Sequence, residues 1–179
     1  MTDVTAALIA DHIIDVPDFP QPGIVFKDLS PLLADGPAFA ATVEAIVAQH
    51  RGFEVVAGIE ARGFVIAAAV AYATGTGMVP IRKQGKLPRA RLSADYALEY
   101  GQATLEVHAD AFLAGQRVLL VDDVLATGGT VAAALGLIEQ AGGQVCAVSV
   151  LLELGFLGGR ERICGPGPRR DLVHALLTV

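Results

Sequence analysis

The chain has 179 residues, is 53% hydrophobic, and carries 13 basic against 19 acidic residues, a formal net charge of −6. That length suits one domain with a substantial core. The acidic balance excludes a broad nucleic-acid surface, which needs clustered basic charge, but not a small anion, because local charge can oppose net charge.

No membrane span is expected: the longest apolar run, residues 64–73, is about half the roughly twenty residues a span needs. The start, MTDVTAALIADH, lacks the basic opening and long apolar core of a signal peptide. Cys146 and Cys164 form no CxxC pattern and fit a reduced, cytoplasmic setting. Cys146 lies in an apolar run and reads as a buried, inert thiol.

Residues 3–14 read as a short amphipathic helix with Val4, Leu8 and Ile13 on one side. Residues 16–33 carry Pro17, Pro20, Pro22 and Pro31 and form no single regular element. Pro37 suits the start of a helix, and Phe39, Val43, Ile46 and Val47 recur at helical spacing up to Gly52. Strand 53–59, helix 63–73 and strand 78–81 follow. Residues 83–95, with Lys83, Lys86, Arg89 and Arg91, read as a basic loop. Residues 103–108 alternate as a half-buried strand does. Residues 118–121 are a strand buried on both faces, 131–141 a helix stopped by Gly142-Gly143, 145–152 a second buried strand, and 171–179 an edge strand. Strands alternating with helices give an α/β fold with a mainly parallel central sheet flanked by helices. Ligands bind such sheets beyond the carboxyl ends of the strands.

Two segments fall at those ends. GIEARGF, residues 58–64, has the glycine spacing of a Walker A loop, but Phe64 and Val65 replace its Lys and Ser/Thr, which excludes nucleoside triphosphate hydrolysis by that device. It still offers a helix start and Arg62, a sound anion site. VLLVDDVLATGGT, residues 118–130, is more specific. Its strand delivers Asp122 and Asp123 to the sheet's edge, where carboxylates accept hydrogen bonds from vicinal hydroxyls or help hold a divalent cation. Ala126, Thr127, Gly128, Gly129 and Thr130 then turn into a helix whose backbone N–H groups and dipole favour an anion. A ribose 5-phosphate group satisfies both halves. His12, His50, His108 and His174 have no metal-ligand spacing, and Asp11, Asp15 and Asp18 read as solvated turn residues.

This segment resembles the phosphoribosyl diphosphate (PRPP) signature of type I phosphoribosyltransferases. DFPQPGIVFKDLSPLL (18–33), GIEARGF (58–64), IRKQGKLP (81–88), LEYG (98–101) and LLELGFLGGRERI (151–163) are similar, in order and spacing, to the adenine phosphoribosyltransferases. The resemblance covers nearly the whole chain after residue 15. It implies one domain over residues 1–179: an N-terminal helix and base-binding hood to about residue 33, then a core over 34–179 with the PRPP site.

The resemblance further implies transfer of the phosphoribosyl group from PRPP to adenine, giving AMP and diphosphate, with Mg²⁺. By it, Ala126 to Thr130 would cradle the 5-phosphate, and Asp122 and Asp123 would face the ribose hydroxyls directly or through metal and water. Mg²⁺ would be held mainly by PRPP or diphosphate. Arg62 would meet the diphosphate, beside a turn at Glu60-Ala61 where the family often carries a cis peptide. Arg82, Lys83 and Lys86 would belong to a loop closing over PRPP. Val25, Phe26, Lys27 and Leu154 would surround the base, Glu99 would approach its N7, and Tyr100 would sit on the closing loop. Catalytic roles would fall to Glu99, Arg62 and Lys86. Lys27 stands where many relatives have Arg, which puts a bidentate contact there in doubt. A homodimer is expected by analogy, with neither nucleic acid nor membrane as partner. A PRPP-binding regulator and a transferase for another base are the competing readings.

Overall fold

The computed structural model describes residues 2–97, 102–165 and 171–179. Helix α1 (Thr2–Asp11) leads into an antiparallel hairpin, β1 (Ile14–Pro17) and β2 (Val25–Asp28), in which Pro17 faces Val25. The proline-rich stretch thus forms two short strands and the small helix α2 (Ser30–Ala34), with a cis Phe19–Pro20 bond in the connection. Of the expected apolar face, Leu8 and Ile13 pack against the core, but Val4 is 77% exposed and the fully buried residue is Ile9. Helix α3 (Gly36–Gln49) starts where Pro37 indicates, and the Asp35 carboxylate accepts from the Ala38 N–H at 2.8 Å, capping the first turn.

The main sheet is built from β3 (Val55–Ile59), β4 (Gly77–Lys83), β5 (Arg91–Ala97), β6 (Gln102–His108), β7 (Arg117–Leu125), β8 (Gln144–Glu153) and β9 (Val173–Thr178). Their spatial order is 5-6-4-3-7-8-9. The pairs from β4 through β9 are parallel, and β6 joins β4 and β5 antiparallel. The expectation of a mainly parallel sheet holds, with β9 at one edge. The loop expected over residues 83–95 shrinks. Lys83 ends β4, and Arg91 begins β5, in which Leu92, Ala94 and Tyr96 alternate with polar residues.

Helices α4 (Arg62–Thr74) and α5 (Gly129–Gln140) cover opposite faces. Residue alternation explains why. On β3 and β7, Val55, Ala57, Val118 and Leu120 join α5 residues Ala134 and Ile138 in one core. Val56, Leu119 and Val121 join Ile66 and Val70 of α4, with Ile46 of α3, in the other. Each fully buried aliphatic of this size contributes roughly 1.5–3 kcal/mol, so two-sided burial fixes the register of both strands. The short helix α6 (Gly159–Cys164), which no periodicity in the sequence indicates, closes one end of the α5 side through Ile163 and Cys164. Cys146 is half-buried rather than buried, its Sγ 3.3 Å from the Val118 carbonyl oxygen. No helix among the described residues is long and apolar enough to cross a membrane.

Candidate active site

The chain turns to opposite faces of the sheet on either side of the β3–β7 pair, and there the sheet has a step. β3 ends at Ile59, and its last partner on β7 is the pair Gly58–Val121. β7 continues to Leu125, still paired with β8 as far as Glu153. The two aspartates therefore lie inside β7 rather than beyond its end, on the part that β3 no longer covers. A crevice at the carboxyl ends, where the crossover helices change sides, follows from that topology.

The crevice has a volume of about 470 Å³. Asp122, Asp123, Ala126 and Thr130 line it from β7 and the turn into α5, Arg62 from the start of α4, and Lys83 from the end of β4. Val25, Phe26 and Lys27 of β2 close it from above, and Leu154, just after β8, closes it from the side. These residues, separated by up to 129 positions in sequence (25 to 154), meet in one cleft. Arg82 and Lys86 stand at its edge through their contacts with Glu60, which lines it. Glu99 and Tyr100 lie outside the described residues.

Asp122 and Asp123 are each 7% exposed. Asp122 Oδ1 accepts from the Asp123 N–H at 3.0 Å. Burial, and then the neighbouring Asp123 charge, push the Asp122 carboxyl well above the ordinary range. Asp123 is compensated instead: Arg62 Nε lies 2.6 Å from its Oδ2, an ion pair without the alignment of a hydrogen bond. The same guanidinium sits 5.1 Å from the centre of the Phe26 ring, a cation–π distance. Phe26 in turn meets Phe19 edge-on at 5.1 Å. Arg62 thus links the acidic strand to the hairpin that covers it.

The turn after β7 is fixed by close backbone packing. Gly128 has φ 78°, a conformation open to glycine, and precedes α5. A Cβ there would lie 2.6 Å from the Gly159 carbonyl oxygen, and one on Gly159 would lie 2.1 Å from that of Ala126. Ala126 and Gly128 are therefore held against Gly159 at the start of α6. Arg160 Nε donates to Glu153 at 2.9 Å and ties α6 to β8. The first-turn N–H groups of α5 have no intrahelical partners, and Ala126 and Thr130 at the two ends of the turn line the cleft.

The Glu60–Ala61 peptide is cis, as the resemblance implies. Sequence reasoning assigned no part to the Glu60 side chain, which is 9% exposed. One oxygen contacts Lys86 Nζ; the other accepts from the Lys83 N–H at 3.0 Å and lies 3.4 Å from Arg82 Nε. Burial raises the Glu60 pKa, but the hydrogen bonds from Lys86 and Lys83 and the nearby cations together leave it below the ordinary value. Glu106, 1% exposed, anchors the same loop by accepting from the Gly85 N–H at 3.0 Å and Arg91 Nε at 2.9 Å. Residues 103–108 are thus not half-buried as expected, since a charge is hidden on the second face. Lys27 Nζ meets both oxygens of Asp15 at 2.7 and 2.8 Å, so its ammonium is already engaged within the hairpin and Asp15 is not merely a solvated turn residue. Ile24, Ala61, Tyr96 and Val124 complete the lining.

The Phosphoribosyl transferase domain family matches residues 32–168. An adenine phosphoribosyltransferase of Salinispora tropica is 64% identical over 177 residues, covering 98% of this chain and 92% of the relative. One of Streptomyces coelicolor is 54% identical over 183 residues, covering all of both chains (100% and 100%). Among solved structures, the adenine phosphoribosyltransferase of Thermoanaerobacter pseudethanolicus superimposes with a TM-score of 0.90 at 45% identity, covering 97% of this chain and 99% of the other. That of Saccharomyces cerevisiae, complexed with an imino-altritol bisphosphate and adenine, does so with a TM-score of 0.89 at 34% identity, over 98% and 99% of the two chains.

Proposed function

The chain belongs to the adenine phosphoribosyltransferases, enzymes that join adenine to the phosphoribosyl group of PRPP, and we propose that the stepped crevice beside β7 is where it does so. The observation that carries this assignment is the convergence on one cleft of an acidic strand, a glycine-bounded helix start and Arg62. An apolar cover holding Phe26 completes it.

In this reading the turn from Ala126 to Thr130 takes the 5-phosphate through N–H groups and threonine hydroxyls. Asp122 and Asp123 face the ribose hydroxyls. Arg62 and Lys83, with Arg82 and Lys86 at the edge, receive the diphosphate. The base sits among Val25, Phe26 and Leu154. The base nitrogen attacks the anomeric carbon as the bond to the diphosphate oxygen breaks, so positive charge grows on the ribose and negative charge on the leaving group. Fixed cations at the leaving group lower that barrier because they need no reorganisation as the charge develops. Glu99 handles the proton on the base, and general acid–base help of this kind is typically worth about 10²–10⁴-fold. Closure of residues 84–90, with Tyr100, excludes water as a competing nucleophile. Lys27, engaged by Asp15, acts by holding the hairpin in place.

The donor set suits Mg²⁺. That ion is held through one or two carboxylates plus substrate phosphates, and the cleft offers two adjacent carboxylates, Asp123 Oδ2 without an aligned hydrogen bond. Among the described residues no cluster of three or more His, Cys, Asp or Glu forms a closed cage, so most ligands would come from PRPP, diphosphate and water. When bound, Mg²⁺ supplies charge neutralisation at the leaving diphosphate. We further assign residues 1–179 to one domain, a homodimeric assembly, and a cytoplasmic setting in which Cys146 and Cys164 stay reduced.

The test is diphosphate release from PRPP and Mg²⁺ with and without adenine. Adenine-dependent release is expected. Tight PRPP binding with no turnover would favour a regulatory protein instead.

A further inference from the structure

Four of the cations around the crevice are already partnered by the chain's own carboxylates. Lys27 pairs with Asp15, Arg62 with Asp123, and both Arg82 and Lys86 with Glu60. A polyanionic ligand must therefore compete with internal anions for these four groups.

These pairs are not equally exchangeable. Asp15 is 56% exposed, so its pair with Lys27 is screened and stands on the rim. Asp123 is itself buried beside Asp122, so removing Arg62 would leave a buried carboxylate without a counter-charge, a costly arrangement. Glu60 differs on both counts. Its partners are loosely confined: the Lys86 side chain is 46% exposed and follows Gly85 at φ 83°, and the Arg82 side chain is 34% exposed with a long 3.4 Å contact. Glu60 also keeps the hydrogen bond from the Lys83 N–H when the side-chain cations leave, so it is not stranded. Its own N–H, bonded to the Ile81 carbonyl at 3.0 Å, fixes its backbone to the sheet throughout.

We propose that Glu60 is an exchangeable internal counter-anion, holding Arg82 and Lys86 in the ligand-free enzyme and yielding them to the incoming diphosphate group. This rests on the cleft being the diphosphate site. Glu60 keeps the cations near their working positions before substrate arrives. It also lowers affinity for diphosphate, which favours release of that product.

The test is calorimetric binding of inorganic diphosphate to the wild type, Glu60→Gln, Lys86→Met and the double variant. In Glu60→Gln the side-chain amide oxygen can still accept from the Lys83 N–H, and thermal melts check the fold. Glu60→Gln is expected to bind diphosphate at least about threefold more tightly, since a partly exposed pair is worth up to about 1 kcal/mol. A change in overall field would also tighten binding, so the cycle decides. Lys86→Met is expected to cost more affinity in the Glu60→Gln background than in the wild type. Equal costs, or weaker binding by Glu60→Gln, would overturn the proposal while leaving the cleft assignment intact; no diphosphate binding by the wild type would overturn both. Should Glu60→Gln fail to fold, a structure of the wild type with diphosphate gives the same decision: Lys86 Nζ leaves Glu60, or, if it stays, the proposal fails.

Discussion

Arg62 stands between Asp123 and Phe26, with Nε 2.6 Å from the carboxylate and the guanidinium 5.1 Å from the ring centre. One side chain thereby sets the spacing between the acidic strand and the hairpin above it. Neutralising Asp123 removes the charge that holds Arg62 there. Asp123→Asn is therefore expected to raise the PRPP KM and lower kcat/KM by roughly 10²-fold, the scale of losing a positioned charged group in a site. Steady-state kinetics with PRPP varied checks this; unchanged PRPP kinetics would make the acidic pair structural.

Asp122 carries the opposite cost. Its carboxyl is raised by burial and by Asp123, so the native state binds a proton that the unfolded chain releases near the ordinary value of 3.8. Stability contributed by this group is therefore lost as pH rises above about 4. Asp122→Asn keeps the acceptor for the Asp123 N–H and removes the charge. It is expected to be more stable than the wild type at pH 7.5, by on the order of 1–3 kcal/mol, with the gap closing as pH falls towards 4. Paired thermal melts across that range decide it. A gap of constant size would mean that Asp122 is ionised normally.

The turn between β7 and α5 depends on a backbone approach that leaves no room for a methyl group. Gly159→Ala would place Cβ 2.1 Å from the Ala126 carbonyl oxygen, so one segment must move. The expected result is a loss of about 2–3 kcal/mol in stability and a larger proportional loss in PRPP affinity than in diphosphate affinity, because the phosphate turn is displaced and Arg62 is not. Denaturant unfolding and calorimetry on the same preparation test both halves.

Glu99 is assigned to proton handling on the base, a step separate from PRPP binding. Glu99→Ala is expected to lower kcat by about 10²–10⁴-fold while changing PRPP affinity by less than about threefold, within what a surface charge contributes. Unaltered kcat in a single-turnover measurement would remove Glu99 from the mechanism.

How much of this was legible in the sequence depends on the range of the interactions. VLLVDDVLATGGT declares itself because strand, acidic pair and glycine turn are contiguous, and the helices over α3, α4 and α5 follow from periodicity and caps. Strand β5 was hidden because its polar face, Arg91, Ser93 and Asp95, reads as loop until β6 pairs along its edge and α5 covers the other face. Helix α6 spans six residues, less than two turns, and leaves no periodic signal. Glu60 and Glu106 were missed for a different reason. Exposed glutamate is the usual case, and the partners that bury them, Lys86 and Arg91, are 26 and 15 residues away. On α1, Val4 was misplaced and Ile9 overlooked because a short helix is oriented by what it packs on, here β9 and α3, rather than by its own pattern.

Transfer of the phosphoribosyl group to adenine in the cleft beside β7 is decided by kcat/KM for nucleotide formation from PRPP and Mg²⁺ with adenine, guanine, hypoxanthine and xanthine in parallel. AMP formation is expected to exceed that of each other nucleotide by at least about 10²-fold. Preference for an oxopurine, or no nucleotide formed from adenine, would exclude adenine as the base taken by this cleft.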